Sequence, residues 1–165
     1  MSKKTVIFIV GIVILICIII GGVHIFNNLN YINRLYEDNN EIAKEINTFN
    51  LNDVEQKIEN NNYIGTAEFE GMDTIWNYEA TEYIEIELKY ILNAMSGKCK
   101  IVLISPDNTV NTIFENANNS ESNDYSTTTL QLKQGLNRIK LVADKDTKVQ
   151  FDFSIEDGTF NELGF

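Results

Sequence analysis

Between Glu82 and Ile104 the side chains alternate so strictly that few folds can accept the stretch. In 82–92 the even positions are Ile84, Ile86, Leu88, Tyr90 and Leu92, while Glu85, Glu87 and Lys89 occupy the odd ones. A second run, 98–104, sets Cys99, Ile101 and Leu103 against Lys98 and Lys100. A period of two is the pattern of a strand with one face buried and one face wet. The intervening Asn93–Gly97 reads as a short turn. The pair therefore predicts a hairpin at the centre of a mainly β, antiparallel sandwich.

The sequence downstream of Asn61 supports that class. Tyr63–Glu70 alternates, Gly71–Thr74 reads as a turn, and Ile75–Tyr78 as a short strand. Ser105-Pro106-Asp107-Asn108 has turn chemistry, with proline presetting φ at the second position. Thr109–Glu115, Tyr125–Leu132, Gly135–Ala143 and Lys148–Ile155 follow, and Asn116–Asp124 is a polar loop without period. Turn signals every 8–12 residues with no helical period between them mark a sandwich or barrel. About seven or eight strands are expected in a domain over 62–165, with no internal repeat and no strand order implied.

The N-terminal third is different. Val6 to Phe26 is almost unbroken Ile, Val, Leu and Phe, long enough at about 1.5 Å per residue to cross the roughly 30 Å core of a bilayer. Lys3 and Lys4 on its short side predict a cytoplasmic N-terminus and an extracytoplasmic remainder. Residues 1–28 are thus expected as a single-pass anchor (signal-anchor), in preference to a cleaved signal peptide with Gly22 at −1 or a lipoprotein site at Cys17. Over 29–61 the period becomes helical: Ile32, Leu35, Asn39, Ile42 and Ile46 step by three and four, as in a coiled-coil seam with a register-fixing Asn. That seam is a candidate oligomerisation surface. Its alternative is one amphipathic helix lying on the sandwich. Asn52 reads as the N-cap of a further short helix through Val54 and Ile58.

Charge narrows the partners. Of 13 basic residues two precede the apolar run, leaving 11 against 24 acidic ones, a net −13. Nucleic acid and anionic lipid surfaces both need basic protein surface, so both are excluded as ligands. The two cysteines, Cys17 in the apolar run and Cys99 in a strand, give no disulfide framework.

The segment Leu130-Gln131-Leu132-Lys133-Gln134-Gly135-Leu136-Asn137-Arg138-Ile139-Lys140-Leu141 resembles the late strands of galactose-binding-like jelly-roll modules. There a glycine turn and an Asn lead into an Ile-x-Leu strand. Together with the apolar run and the Ser96–Ile101 strand start, the whole resembles small membrane-anchored surface proteins of low-GC Gram-positive bacteria. The resemblance spans roughly 80–156 and implies a jelly-roll-like sandwich; no ligand motif of those modules is matched. On physical grounds Gly135 is expected to take a positive φ, Asn137 to cap the turn, and Ile139 and Leu141 to enter the core.

Catalytic groups are sparse. The only histidine, His24, ends the apolar run, so a triad or imidazole metal site in the outer domain has no supply. Cys99 lies between two lysines that point away from it on a strand, which predicts an inert thiol. No enzyme activity and no cofactor are expected. Trp76, Tyr78 and Tyr83 form a candidate ligand-binding platform, since exposed aromatics stack on sugar faces or anchor protein partners. The alternative puts Trp76 in the core. Asp144, Asp146 and Asp157 are candidate ligands for a structural calcium, without an Asp-x-Asp-x-Asp-Gly loop and with Lys145 and Lys148 opposing it. The expectation is a binding or interaction module on the cell membrane, facing cell-wall carbohydrate or a protein partner. A structural subunit of a membrane or envelope assembly is the alternative, and an envelope enzyme a remote one.

Overall fold

The structure, a computed structural model, describes residues 14, 16–19, 31, 34–117 and 122–165. The chain divides into two compact units, Met1–Tyr31 and Ile32–Phe165. In the first, Ile14, Ile16–Ile19 and Tyr31 are helical. No helix among the described residues is long and apolar enough to cross a membrane. Most of the expected span, and Ile32 of the expected seam, lie outside the described residues.

Among its described residues the second unit has a helical end at Arg34 and Leu35, one helical turn, α1 (Asn39–Ile42), and nine strands: β1 (Thr48–Glu59), β2 (Asn62–Ala80), β3 (Ile84–Ser96), β4 (Lys98–Ile104), β5 (Val110–Ala117), β6 (Ser126–Leu132), β7 (Gly135–Ala143), β8 (Lys148–Ile155) and β9 (Thr159–Phe160). All pairings are antiparallel. The long strand β2 organises them. Its first half, 62–68, lies between β1 and β8; its second half, 71–80, pairs with β7 and, at Trp76 and Asn77, with β9. The change of partners falls at Gly71, where φ is +102° and a Cβ would lie 2.1 Å from the Thr48 carbonyl, so only glycine fits. The result is one nine-stranded sheet that folds over at β2 into two layers, β1–β2–β8–β3–β6 and β9–β2–β7–β4–β5, called sheets below. Their inner faces share one core, including Tyr63, Phe69, Trp76, Leu88, Ile101, Leu141, Phe151 and Phe153.

The inward set in 82–104 holds, with Leu88, Tyr90, Leu92, Cys99 and Ile101 all in that core, but the other face of 98–104 is not wet, since Lys100, Val102 and Ile104 are buried as well. The hairpin does not form. β3 pairs with β6 and β8 while β4 pairs with β5 and β7, so Gly97 carries the chain from one sheet to the other. Period-two alternation reports which side chains are buried, not which strand lies alongside. The expected turn at Gly71–Thr74 is a bend within a single strand. The glycine turn at 135 forms as expected: Gly135 has φ +109°, and the Asn137 amide donates to the Lys133 and Gly135 carbonyls at 2.7 and 2.9 Å.

The 29–61 helical segment is corrected. Helix gives way to a turn at Tyr36–Glu37, α1 follows with Asp38 as its N-cap, and Asn52, Val54 and Ile58 belong to β1. The sandwich therefore begins near residue 48, not at 62. The reason is a bulge. Between Asn52 and Glu55 the register with β2 slips, and Asp53 adopts φ 42°. Phe49 and Leu51 face inward before it, Gln56 and Ile58 after it, so the parity inverts and mimics a helical step. The oligomerisation seam fails for a related reason: Leu35 and Ile42 are buried, but Asn39 is exposed and Ile46 is 71% exposed.

Candidate functional site

The two outer faces of the sandwich have opposite fates. The face formed by β2, β7 and β4 carries Met72, Val102, Ile104 and Val142, and these are covered by Leu35, Tyr36 and Ile42. Cations hold the cover in place. The Arg138 guanidinium donates to the carbonyls of Ala43 and Lys44 at 2.7 and 3.1 Å, and Lys140 Nζ to those of Lys44 and Ile46 at 2.7 and 3.1 Å. These are carbonyls at the C-terminal end of α1, where cations are favoured. Lys98 and Lys100 sit 4.0 and 4.5 Å from the Tyr36 ring centre, and the Tyr36 hydroxyl donates to Glu115. Burial, then the Glu115 contact, pushes that hydroxyl's pKa up.

The opposite face, on β1–β2–β8–β3–β6, is touched among the described residues by Ser122 and Tyr125 at the end of the β5–β6 connection, with no apolar cover like that of the first face. Its register places Ile64, Asp152 and Ile91 side by side in one row, with Thr66, Gln150 and Asn93 in the next and Asn62, Ser154 and Lys89 beyond. Asp152 lies at the centre. The Tyr125 hydroxyl donates to its Oδ2, while Oδ1 is buried and has no hydrogen-bond partner among the described residues. The same carboxylate holds the Tyr125 phenol protonated to higher pH than usual. The Asn93 amide donates to the Ser122 carbonyl at 3.1 Å, and the Ser122 N–H to Asn93 Oδ1 at 2.9 Å, which fastens the end of the β5–β6 connection to the face. One row further on, Glu68, Lys148 and Ser96 open into a cleft of about 620 Å³ whose floor includes Phe69 and whose wall includes Glu70. That volume is within the range of small-ligand sites. The Asn50 amide donates to Glu70 at 2.5 Å, so the carboxylate is oriented.

The expected aromatic platform does not form. Trp76 and Tyr78 do share one side of β2, stacked at 6.0 Å, but that side is the core. Trp76 has 0% exposure, and its indole N–H donates to the Asp157 carbonyl at 2.9 Å. Tyr83 is exposed and lies apart, hydrogen-bonded to Glu85 beside a separate cleft. The expected calcium ligands are also separated. Asp144 and Asp146 are in the β7–β8 turn, where Asp144 lies 3.9 Å from Lys98 and Asp146 3.8 Å from Lys145. Asp157 sits past the other end of β8. No cluster of three His, Cys, Asp or Glu suited to a metal occurs among the described residues. Cys99 is buried, which pushes its thiol up to about 12. The face around Asp152 was missed because its residues belong to three strands that only the fold brings together. Asp152 itself sits in an alternating run and reads there as one more solvent-facing acid.

No family model matches the chain, and no curated protein is similar to it. Among solved structures it is similar to a CBM29-2 mutant complexed with cellulohexaose, a family 29 carbohydrate-binding module. The identity is 11%, over 67% of this chain and 80% of that one, with a TM-score of 0.31. It is also similar to a CBM4 structure, at 12% identity over 71% of this chain and 79% of the other, again with a TM-score of 0.31. Neither likeness is close enough to bear on ligand or mechanism.

Proposed function

We propose that the β-rich unit is a binding module and that the open face around Asp152 takes a polyhydroxylated ligand, such as a cell-wall polysaccharide. The observation that carries this reading is the Asp152 carboxylate, with one oxygen held by Tyr125 and the other without a partner among the described residues, on a face of neutral polar and aliphatic side chains. A buried acceptor without a donor is costly, and a ligand hydroxyl would supply the donor once the exposed Tyr125 side chain turns aside to admit it. Gln150, Thr66 and Asn62 add neutral donors and acceptors around it, and Ile64, Ile91 and the Tyr125 ring offer apolar surface for the C–H face of a sugar. Binding rather than catalysis suits the groups at hand: in the one hydroxyl–carboxylate pair, Tyr125 with Asp152, the phenol stays protonated to higher pH than usual and is a poor nucleophile. In this reading the 6–26 run anchors the module in the cell membrane, with the sandwich outside.

The test is affinity electrophoresis of the detergent-solubilised full chain through gels containing cell-wall and plant polysaccharides. Retardation by at least one polysaccharide is expected. Asp152→Asn should weaken it about tenfold or more, as a charged hydrogen bond of about 1.5–3 kcal/mol implies. Retardation by none, or an unchanged affinity in Asp152→Asn, would overturn the reading.

A further inference from the structure

We infer that β6 is a self-pairing edge, through which two copies of this chain join their sheets antiparallel about Thr129. Among the described residues β6 pairs only with β3, so its other side presents unpaired N–H and C=O groups. Exposed edges of this kind are templates for another strand unless guarded by charge, proline, a bulge or shortness. The other three edges of the two sheets are guarded. β1 carries Asp53, Glu55, Lys57 and Glu59 and a bulge; β5 carries Glu115 and a bulge in its ladder; β9 is two residues long. β6 has none of these devices. It reads Ser-Thr-Thr-Thr-Leu-Gln-Leu, seven residues in unbroken register with β3, and it alone among the longer strands has no charged side chain. In a chain of net charge −11 that neutral strip is where a second copy meets no repulsion.

The edge is also self-complementary. Matching the whole strand to its own two-fold mate puts Ser126 opposite Leu132, Thr127 opposite Gln131 and Thr129 opposite itself. Any one-residue slip would turn the partner's side chains to the wrong face. In this register Lys133, just past the strand, falls opposite the partner subunit's Tyr125, so no like charges face each other across the pair. A cleft of about 360 Å³ lined by Leu103, Ile113 and Leu130 leaves room alongside the strand. None of these observations depends on the carbohydrate reading.

The test uses the detergent-solubilised full chain. Sedimentation should show a dimer, and Thr129→Lys, an exposed substitution that sets two lysines face to face, should weaken it at least tenfold. In a Cys17→Ser background, Thr129→Cys should form a disulfide-linked dimer under mild oxidation, because Cα atoms directly opposite lie within about 5.5 Å. Thr127→Cys and Asn111→Cys, on β6 and on the β5 edge, should not. A monomer at all concentrations, a dimer indifferent to Thr129→Lys, or equal cross-linking at Asn111 would overturn the proposal.

Discussion

Lys140 is the sharpest handle on how the N-terminal segment is fastened to the sandwich. It has 0% exposure, and burial, reinforced by the neighbouring Arg138, lowers its pKa from an ordinary 10.5 to about 8; Asp73 opposes the shift only in part. Its sign is opposite to that of a salt-bridged lysine. Between about pH 8 and 10.5 the unfolded chain holds a proton that the folded chain has released, so stability contributed by this group rises with pH. At about 1.4 kcal/mol per pKa unit, the gain between pH 8 and 10 is about 2 kcal/mol. Cys99, pushed up to about 12, and the buried phenols of Tyr36 and Tyr63, pushed up further, act the other way, because their folded forms keep protons that the unfolded chain loses.

Those opposing groups are common to parent and variant, so the comparison to make is with Lys140→Met. The substitution removes the cation and keeps a long side chain. Of the two carbonyls it abandons, that of Lys44 retains the Arg138 guanidinium as donor, while that of Ile46 loses its lysine. At pH 7 the loss of that bond and the relief of a buried charge oppose one another, and the net change is small. The pH dependence is the decisive quantity. Urea unfolding of both proteins, followed by far-UV circular dichroism at about pH 7, 8, 9 and 10, should show the parent gaining on the variant by about 2 kcal/mol across the upper two units. A gap that stays flat or narrows with pH would refute the assignment of a desolvated Lys140 beneath the 43–46 segment.

Ile42→Ala should cost about 2–4 kcal/mol and Ile46→Ala less than about 0.5, since only Ile42 is buried against the sheet; chemical unfolding of both variants measures this, and equal costs would favour a seam over docking. Trp76→Phe, which strips the Asp157 carbonyl of its indole donor, should lower stability by about 1–3 kcal/mol while leaving polysaccharide retardation of the folded variant unchanged. Loss of retardation in a folded Trp76→Phe protein would restore the indole to the binding face. The Cys99 thiol should resist iodoacetamide at about pH 8 in the folded chain and react once urea unfolds it; mass spectrometry of the labelled peptide decides, and rapid native labelling would mean that Lys98 and Lys100 do activate it.

The core-facing parity of the regular strands was legible in the sequence, and where each strand goes was not. Leu88, Tyr90, Leu92, Cys99 and Ile101 declared themselves by parity, and Gly135 with Asn137 declared a turn, because both signals are local. β2 hid its central role because its bend at Gly71 looks from the sequence like an end. β1 hid altogether, because one bulged residue at Asp53 inverted its parity and lent it a helical step.

The same distinction explains the candidate site. Trp76 and Tyr78 were correctly placed on one side of one strand, but a strand has two sides, and only the second sheet decides which is wet. A bulge between Thr74 and Trp76 makes this worse, since it turns both Ile75 and Trp76 into the core and removes the alternation that would have shown it. Asp152, by contrast, sits at an outward position of a strand whose Val149, Phe151, Phe153 and Ile155 all face in, and is distinguished from other outward acids only by its neighbours. Those neighbours, Ile64, Ile91 and Tyr125, lie far from it in the sequence and reach it through strand pairing and one long connection. A face assembled across strands leaves no motif in the sequence. An Asp152 oxygen with no partner among the described residues is a feature that only the folded chain reveals.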